Sequence, residues 1–142
     1  LAGRPGAFDA PAIHLDAIAT PATDTVILAA NALTPVQAAE IRHEGGIFWG
    51  VQYHPEFSLT QTAKILRRLA DLMTAEGFTR TPQEAQAYAD DLIAIDRDPA
   101  RRDLAWRHGL DAEVLDEARR VTEIRNWIEA QVKPLKSARS RA

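Results

Sequence analysis

The chain contains no cysteine among its 142 residues. That absence excludes disulfide bonds, cysteine-ligated zinc, iron–sulfur clusters and a thiol nucleophile supplied by these residues. It is compatible with a reducing compartment, and we expect a cytoplasmic protein. The chain begins at Leu1 and its single methionine is Met73, which favours a piece of a longer translation product.

A large net charge and a long apolar run are also lacking. The formal net charge is −3, so nothing global favours nucleic acid or an anionic membrane as a partner. No apolar run approaches the roughly 20 residues that span a bilayer, and no signal peptide opens the chain. With 46% hydrophobic and 26% charged residues, the composition is typical of a soluble globular protein.

The first half of the chain is apolar, β-branched and interrupted by glycine and proline. Three strands are predicted, at residues 25–30, 36–42 and 47–53. The last is the most apolar, and we expect it to be buried on both faces. Because the connections are short, with a glycine turn at residues 43–46, the strands should form an antiparallel meander.

The second half has helical periodicity. Residues 59–76 predict one helix that Gly77 ends, and a Thr81–Glu84 capping box predicts the start of the next. A short helix should then begin at Asp98 and end near Gly109. A final long helix is predicted from Asp111, ended by Pro134, with a frayed basic tail after it.

One segment carries chemistry, the string Gly-Val-Gln-Tyr-His-Pro-Glu-Phe at residues 50–57. His54 and Glu56 are separated by Pro55, which favours an extended backbone at the residue before it. Side chains at i and i+2 of an extended stretch point the same way. An imidazole beside a carboxylate is the pair that a general base and its orienting group require. An isolated His-x-Glu would more often be an ordinary pair at a strand end.

The whole string resembles the C-terminal signature of class I glutamine amidotransferases, which carry a Cys-His-Glu triad and occur in GMP synthase and anthranilate synthase. Upstream segments follow the family's order: its His-x-Asp segment, the next strand and the strand before the signature, at residues 11–16, 26–31 and 36–42. The resemblance covers about residues 8–76, roughly half of the chain.

The resemblance implies the C-terminal portion of a flavodoxin-like α/β domain, a mixed sheet flanked by helices with its active site at strand ends. It implies hydrolysis of the glutamine side-chain amide through a cysteine thioester, with ammonia passed to a synthase domain or subunit. His54 would be the general base and acid, and Glu56 would orient it. No cofactor is implied. The family's nucleophile lies upstream of everything seen here, so this chain alone should be inactive.

Other polar residues are weaker candidates. His14 and Asp16 share the two-residue spacing, and with Tyr53 we expect them to line the substrate site by resemblance to the family. His43 is followed by no second histidine at helical spacing, so no zinc-protease motif exists. The spacing of the histidines requires no metal, and none is expected.

We expect three segments: residues 1–78 as the amidotransferase part, 79–133 as a helical extension, and 134–142 as a basic tail. The extension should bury its apolar stripes either on the amidotransferase part or across a subunit interface, and of the two we expect a homo-oligomer interface. Two alternatives stay open. The first is a degenerate, non-catalytic relative of the amidotransferases that binds partners. The second is a γ-glutamyl hydrolase of the same superfamily.

Overall fold

The computed structural model describes the backbone of residues 1–139, and the side chains as far as Lys136. The chain forms two compact units. Unit 1 comprises Leu1–Pro55 together with the described residues from Val121 onward, and unit 2 comprises Glu56–Arg120. The segment limits predicted at residues 78 and 133 mark where the family domain and the helical extension end. They are not limits of compact units, and they stay predictions.

Unit 1 contains a three-stranded antiparallel sheet, and the chain as a whole is mixed α/β. The strands are β1 (Thr25–Ala29), β2 (Ala38–His43) and β3 (Gly46–Val51), hydrogen-bonded in the order β1-β2-β3. In the register, Glu40 of β2 lies opposite Val26 on one side and Trp49 on the other. The predicted antiparallel meander is confirmed.

The turn between β2 and β3 has two central residues in the left-handed region. Glu44 has φ of 47° and Gly45 has φ of 78°, and His43 pairs with Gly46 across the turn. Positive φ at both positions is the signature of a type I′ turn, whose twist matches that of the flanking strands. The predicted glycine turn at residues 43–46 is confirmed.

The expectation that β3 is buried on both faces is wrong. Phe48 is 62% exposed, and Ile47 and Val51 are also exposed. Its ring lies over Gly50, where an added Cβ would come within 2.8 Å of that ring. Phe48 lies on one face of β3 and Ile47 and Val51 lie on the other, so both faces carry exposed apolar side chains. The apolar sequence of the strand therefore did not predict its burial.

Unit 2 is helical. Its helices are α1 (Leu59–Arg68), α2 (Ala70–Ala75), α3 (Pro82–Arg97), α4 (Arg102–Arg107), α5 (Ala112–Leu115) and α6 (Glu117–Arg120). Helix α1 packs on α3 along a row of small and aliphatic side chains, including the fully buried Ala63 and Ala89. Leu92 and Ile95 are the largest side chains buried completely. Alanines at the contact let the two helices approach closely, and the longer side chains fill the space beside them.

Helix ends in unit 2 follow local sequence signals, one of which the sequence analysis missed. Ser58 and Gln61 form a reciprocal capping box at the start of α1. At α3, the Thr81 hydroxyl accepts from the Glu84 amide, as predicted, but the Glu84 carboxylate takes the Arg80 amide at 2.7 Å. The predicted box is therefore only half formed at Thr81.

Two predicted helices are broken. The helix expected over residues 59–76 divides at Leu69, which has φ of −99° and ψ of 12°. Gly77, with φ of 78°, follows α2 as predicted, and Phe78 N donates to Met73 O in a Schellman pattern.

The long helix expected from Asp111 is interrupted at Asp116, whose extended backbone ends α5 and whose carboxylate accepts from the Ala118 amide. The chain then returns to unit 1, which contains α7 (Thr122–Trp127), a π-helical turn (Ile128–Val132) and α8 (Lys133–Arg139). Pro134 therefore does not end a helix: it lies in the first turn of α8, where proline is tolerated. Residues 140–142 of the predicted tail lie outside the described residues.

Candidate active site

His54 lies at the end of the chain segment that continues β3. Its amide donates to Pro11 O at 2.7 Å, and the preceding Tyr53 bridges antiparallel to Ala12. Gln52 N donates to Gln37 O at 2.8 Å on the other side. Backbone hydrogen bonds thus hold the residues around His54 from two directions, and the imidazole is half-buried.

Glu56, the expected orienting residue, is exposed and is the first residue of unit 2. It lines a cavity of about 320 Å³ within that unit, together with Ser58, Asp96 and Glu117. His54 belongs to unit 1, so the pairing of its imidazole with the Glu56 carboxylate stays a prediction.

His14 and Asp16 are brought together, but through the backbone. His14 Nδ1 donates to the carbonyl oxygen of Asp16 at 2.9 Å. Since a carbonyl oxygen only accepts, the neutral ring carries its proton on Nδ1, and Nε2 is the acceptor. The side-chain amide of Gln37 donates to that nitrogen at 3.3 Å. His14 is therefore oriented at both ring nitrogens.

Two buried amide oxygens lie near this histidine without hydrogen-bond partners among the described residues. They are Oε1 of Gln37 and Oε1 of Gln52. The side-chain Nε2 of Gln52 donates to Asp16 O at 3.4 Å, the same carbonyl that accepts from His14. The sequence around Gln37 predicts no role for it, because no local pattern distinguishes a buried glutamine at a strand start from an exposed one.

Tyr53 has a polar partner distant in sequence. Its hydroxyl donates to Glu123 Oε1 at 3.0 Å. Burial raises the pKa of the Tyr53 phenol well above its ordinary value, and the charge and hydrogen bond of Glu123 add to the effect. The hydroxyl consequently stays protonated and acts as a hydrogen-bond donor at neutral pH.

Tyr53 also lines an open cavity of about 620 Å³ within unit 1. The cavity lies between the N-terminal loop and the end of β1, and its polar walls include side chains of Arg4, Asn31 and Gln37. His14, Asp16 and His54 do not line it. The expectation that Tyr53, His14 and Asp16 share a substrate site stays a prediction.

The described residues were searched for a group that could hold a metal ion and for a helix that could span a membrane. Within residues 1–139, no group of three or more histidine, aspartate or glutamate side chains is placed to hold a metal ion. No helix in that range is long and apolar enough to cross a membrane.

Residues 3–71 match the profile of the family described as Glutamine amidotransferase class-I. This segment is of the class I glutamine amidotransferase type. The amidotransferase segment includes His14, Asp16, Tyr53, His54 and Glu56, and the resemblance drawn from residues 50–57 is confirmed at the level of the family.

A relative named gamma-glutamyl-L-1-hydroxyisopropylamide hydrolase, from Pseudomonas sp, is 31% identical over 133 residues. The match covers 92% of this chain but 44% of the relative, so the chain spans less than half of that protein's length. Because 133 residues exceed the amidotransferase segment, the similarity continues into the helices beyond residue 71. No solved structure matches the chain.

Proposed function

We propose that the protein containing this chain hydrolyses γ-glutamyl amides, the class of bond that glutamine and N-substituted γ-glutamyl amides share. The observation that carries the proposal is the extent of the similarity to the Pseudomonas hydrolase. That similarity includes the amidotransferase segment and the helices after it. A relative sharing only residues 3–71 would support the family but not this choice of substrate class.

The chemistry is the one that the family resemblance of residues 50–57 implies. A cysteine thiol gives its proton to His54 and its sulfur attacks the γ-carbonyl carbon. The C–N bond then breaks, the nitrogen leaves with the proton from His54, and an acyl thioester remains. Water, deprotonated by His54, attacks that thioester, which yields the γ-carboxylate of glutamate and restores the thiol. Glu56 orients the imidazole throughout. The cysteine must come from outside these 142 residues, which contain none.

The leaving group divides two versions of this function. If it is ammonia, the substrate is glutamine, and a synthase domain or subunit accepts the ammonia, as in a GMP synthase-like amidotransferase. If it is an amine, the enzyme is a γ-glutamyl hydrolase that needs no acceptor. The name of the relative, which describes a hydrolase of a substituted amide, favours the second version.

The test compares two substrates in the natural protein that contains these residues. Ammonia release from L-glutamine and amine release from an N-(1-hydroxypropan-2-yl) γ-glutamyl amide are measured side by side. His54→Ala should lower kcat/KM for the preferred substrate by about 100-fold or more, since general base catalysis contributes about 10²–10⁴-fold. Glu56→Gln should lower it by less, because the base itself remains.

The hairpin turn provides matched controls. His43 and Glu44 are adjacent, strongly exposed and lie in the β2–β3 turn, outside the motif. His43→Ala and Glu44→Gln should leave kcat/KM within about twofold, as expected of surface substitutions. Full activity of His54→Ala would contradict the proposal, as would glutaminase activity of the cysteine-free chain alone.

A separate proposal concerns assembly. We expect the helices after residue 79 to contribute to a homo-oligomer interface, and the expectation is tested by light scattering of the natural protein. A truncation after Gly77 would remove α3, on which α1 packs. Substitution of the exposed Trp106 by Ala is a milder probe, because it leaves that helix pair intact. An unchanged mass in both the intact and substituted proteins, equal to the monomer, would contradict the expectation.

A further inference from the structure

A buried polar cluster in unit 1 joins three distant parts of the chain. Arg4 Nε donates to Glu123 Oε1 at 2.7 Å, and Arg4 Nη2 donates to Oε2 at 2.9 Å. The Tyr53 hydroxyl donates to the same Oε1 at 3.0 Å. The Arg4 and Glu123 side chains are only 1% and 10% exposed. Helix α7 thus supplies a carboxylate that accepts from both the N-terminal loop and the residue before His54.

An aromatic ring completes the cluster. The Arg4 guanidinium carbon lies 4.5 Å from the centroid of the Phe8 ring, a cation–π distance. Phe8 in turn meets Tyr53 edge to face, with ring centroids 5.7 Å apart and planes at 76°. The phenol ring of Tyr53 is therefore restrained at its face or edge by Phe8 and at its hydroxyl by Glu123.

The backbone of Tyr53 has little freedom to absorb a movement of that ring. The amides on either side of it, those of Gln52 and His54, donate to Gln37 O and Pro11 O. Tyr53 itself bridges to Ala12. The Tyr53–Glu123 hydrogen bond and these backbone bonds therefore restrain one continuous segment, which includes the peptide that carries the His54 amide.

We propose that Glu123, acting through the Tyr53 hydroxyl, is a positioning residue for His54. The inference rests on the proposed function, which gives His54 its proton-transfer role. It makes α7 part of the structure that holds the base, although α7 lies beyond the amidotransferase segment at residues 3–71. The chemistry of the step is unchanged, because Glu123 and Tyr53 exchange no proton with substrate.

The experiment uses two variants and two matched controls. Glu123→Gln keeps the shape of the side chain but removes its charge, and Tyr53→Phe removes the hydroxyl while leaving the Arg4–Glu123 ion pair. Glu129→Gln changes an exposed glutamate that pairs with Lys133, and Tyr88→Phe removes a phenol from unit 2. Tyr53→Phe carries the test if Glu123→Gln does not fold.

The first readout is independent of activity. In the chain labelled with ¹³C-histidine, the imidazole ¹³Cε1 signal of His54 is recorded at one fixed pH, with exposed His43 as the internal reference. Glu123→Gln and Tyr53→Phe should both move the His54 signal and leave that of His43 in place. Glu129→Gln and Tyr88→Phe should move neither.

The second readout is the rate in the natural protein. Both variants should lower kcat by about tenfold, which is about 1.4 kcal/mol of barrier, and leave KM within about twofold. The double variant should be no slower than the worse single variant, since both residues act along one path. Their pH–rate profiles should shift relative to those of the controls.

The two proposals fail in different ways. A His54 signal that does not move in folded Tyr53→Phe overturns the positioning role. A His54 signal that moves while kcat stays the same also overturns the positioning role, whereas the function proposed for His54 fails only if His54→Ala keeps full activity. A loss of activity in the control variants equal to that in Tyr53→Phe would also overturn the positioning role.

Discussion

Arg4 and Glu123 form a two-pronged ion pair across 119 residues of sequence, and both side chains are almost completely buried. The exposed pair Arg80–Glu84 makes a similar two-pronged contact, four residues apart, with Arg80 90% exposed. The same chemistry therefore occurs in two solvent environments of one chain. Breaking a buried pair leaves an unpaired charge in a medium of low dielectric, whereas water replaces a lost partner at the surface.

Arg4→Ala should consequently lower the free energy of unfolding by about 3–5 kcal/mol, the usual cost of leaving a buried charge without its partner. Arg80→Ala should lower it by less than about 1 kcal/mol. Urea denaturation followed by circular dichroism measures both. Equal effects of the two substitutions would show that the Arg4–Glu123 pair does not stabilise unit 1.

Leu92 tests the packing of unit 2, where it is buried on α3. Leu92→Ala should cost about 2–5 kcal/mol of stability, because it removes buried methyl groups and leaves a cavity. Leu33→Ala is the matched control, since Leu33 is 85% exposed, and it should change stability by no more than about 0.5 kcal/mol. A loss below about 1 kcal/mol for Leu92→Ala would contradict the packing of α3 described above.

Asp91 gives unit 2 a pH dependence of known sign. His108 Nε2 donates to its carboxylate at 2.8 Å and Arg107 Nη1 at 3.0 Å. The hydrogen bond from His108, helped by Arg107, holds the pKa of the Asp91 carboxyl below its ordinary value. A lowered folded-state pKa means that the stabilisation is present above the unfolded value of about 3.9 and is lost as the pH falls through the folded value.

Asp91→Asn should therefore have a lower Tm than the unchanged protein at pH 7. The difference in Tm should begin to shrink as the pH falls below about 4, where the unfolded carboxyl takes up a proton, and should be lost below the lower folded-state pKa. Thermal melts at several pH values between 7 and 3 measure this. A difference that stays constant over the whole range would contradict the contribution of the charged carboxylate.

Gly45 should resist substitution because of its backbone conformation. Its φ of 78° lies in the left-handed region, and nothing lies within 4 Å of the place where a Cβ would be. Gly45→Ala should therefore lose about 1–2 kcal/mol through backbone strain alone. Gly6→Ala is the control, since that site is equally open without a left-handed φ. Thermal melts that show equal stabilities for the two variants would contradict the type I′ turn.

Local signals predicted local structure well. The turn at residues 43–46, the end of α2 at Gly77 and the start of α3 after Thr81 were all predicted from residues within one or two turns of the chain. Each is decided by steric limits on φ or by one capping hydrogen bond. The burial of β3, which depends on more distant surroundings, was predicted wrongly, and the local cap at Asp116 that interrupts the helix from Asp111 was missed.

The candidate site shows the same division. Residues 50–57 are contiguous, so the motif and its family were identified from the sequence, and the family is confirmed. The contacts of Glu123 with Tyr53 and of Gln37 with His14 join residues 70 and 23 positions apart. No spacing rule of a helix or strand relates positions that far apart, so these partners were not predicted.

The sequence by itself determined the family of the amidotransferase segment, the strand order of the meander and several helix ends, because these depend on neighbours along the chain. Only the tertiary structure decided which polar groups lose their water together. Folding brings Arg4, Tyr53 and Glu123 into one buried cluster, where each needs the others to satisfy its charge or hydrogen bonds. That dependence arises from desolvation, which exists only once the chain has packed.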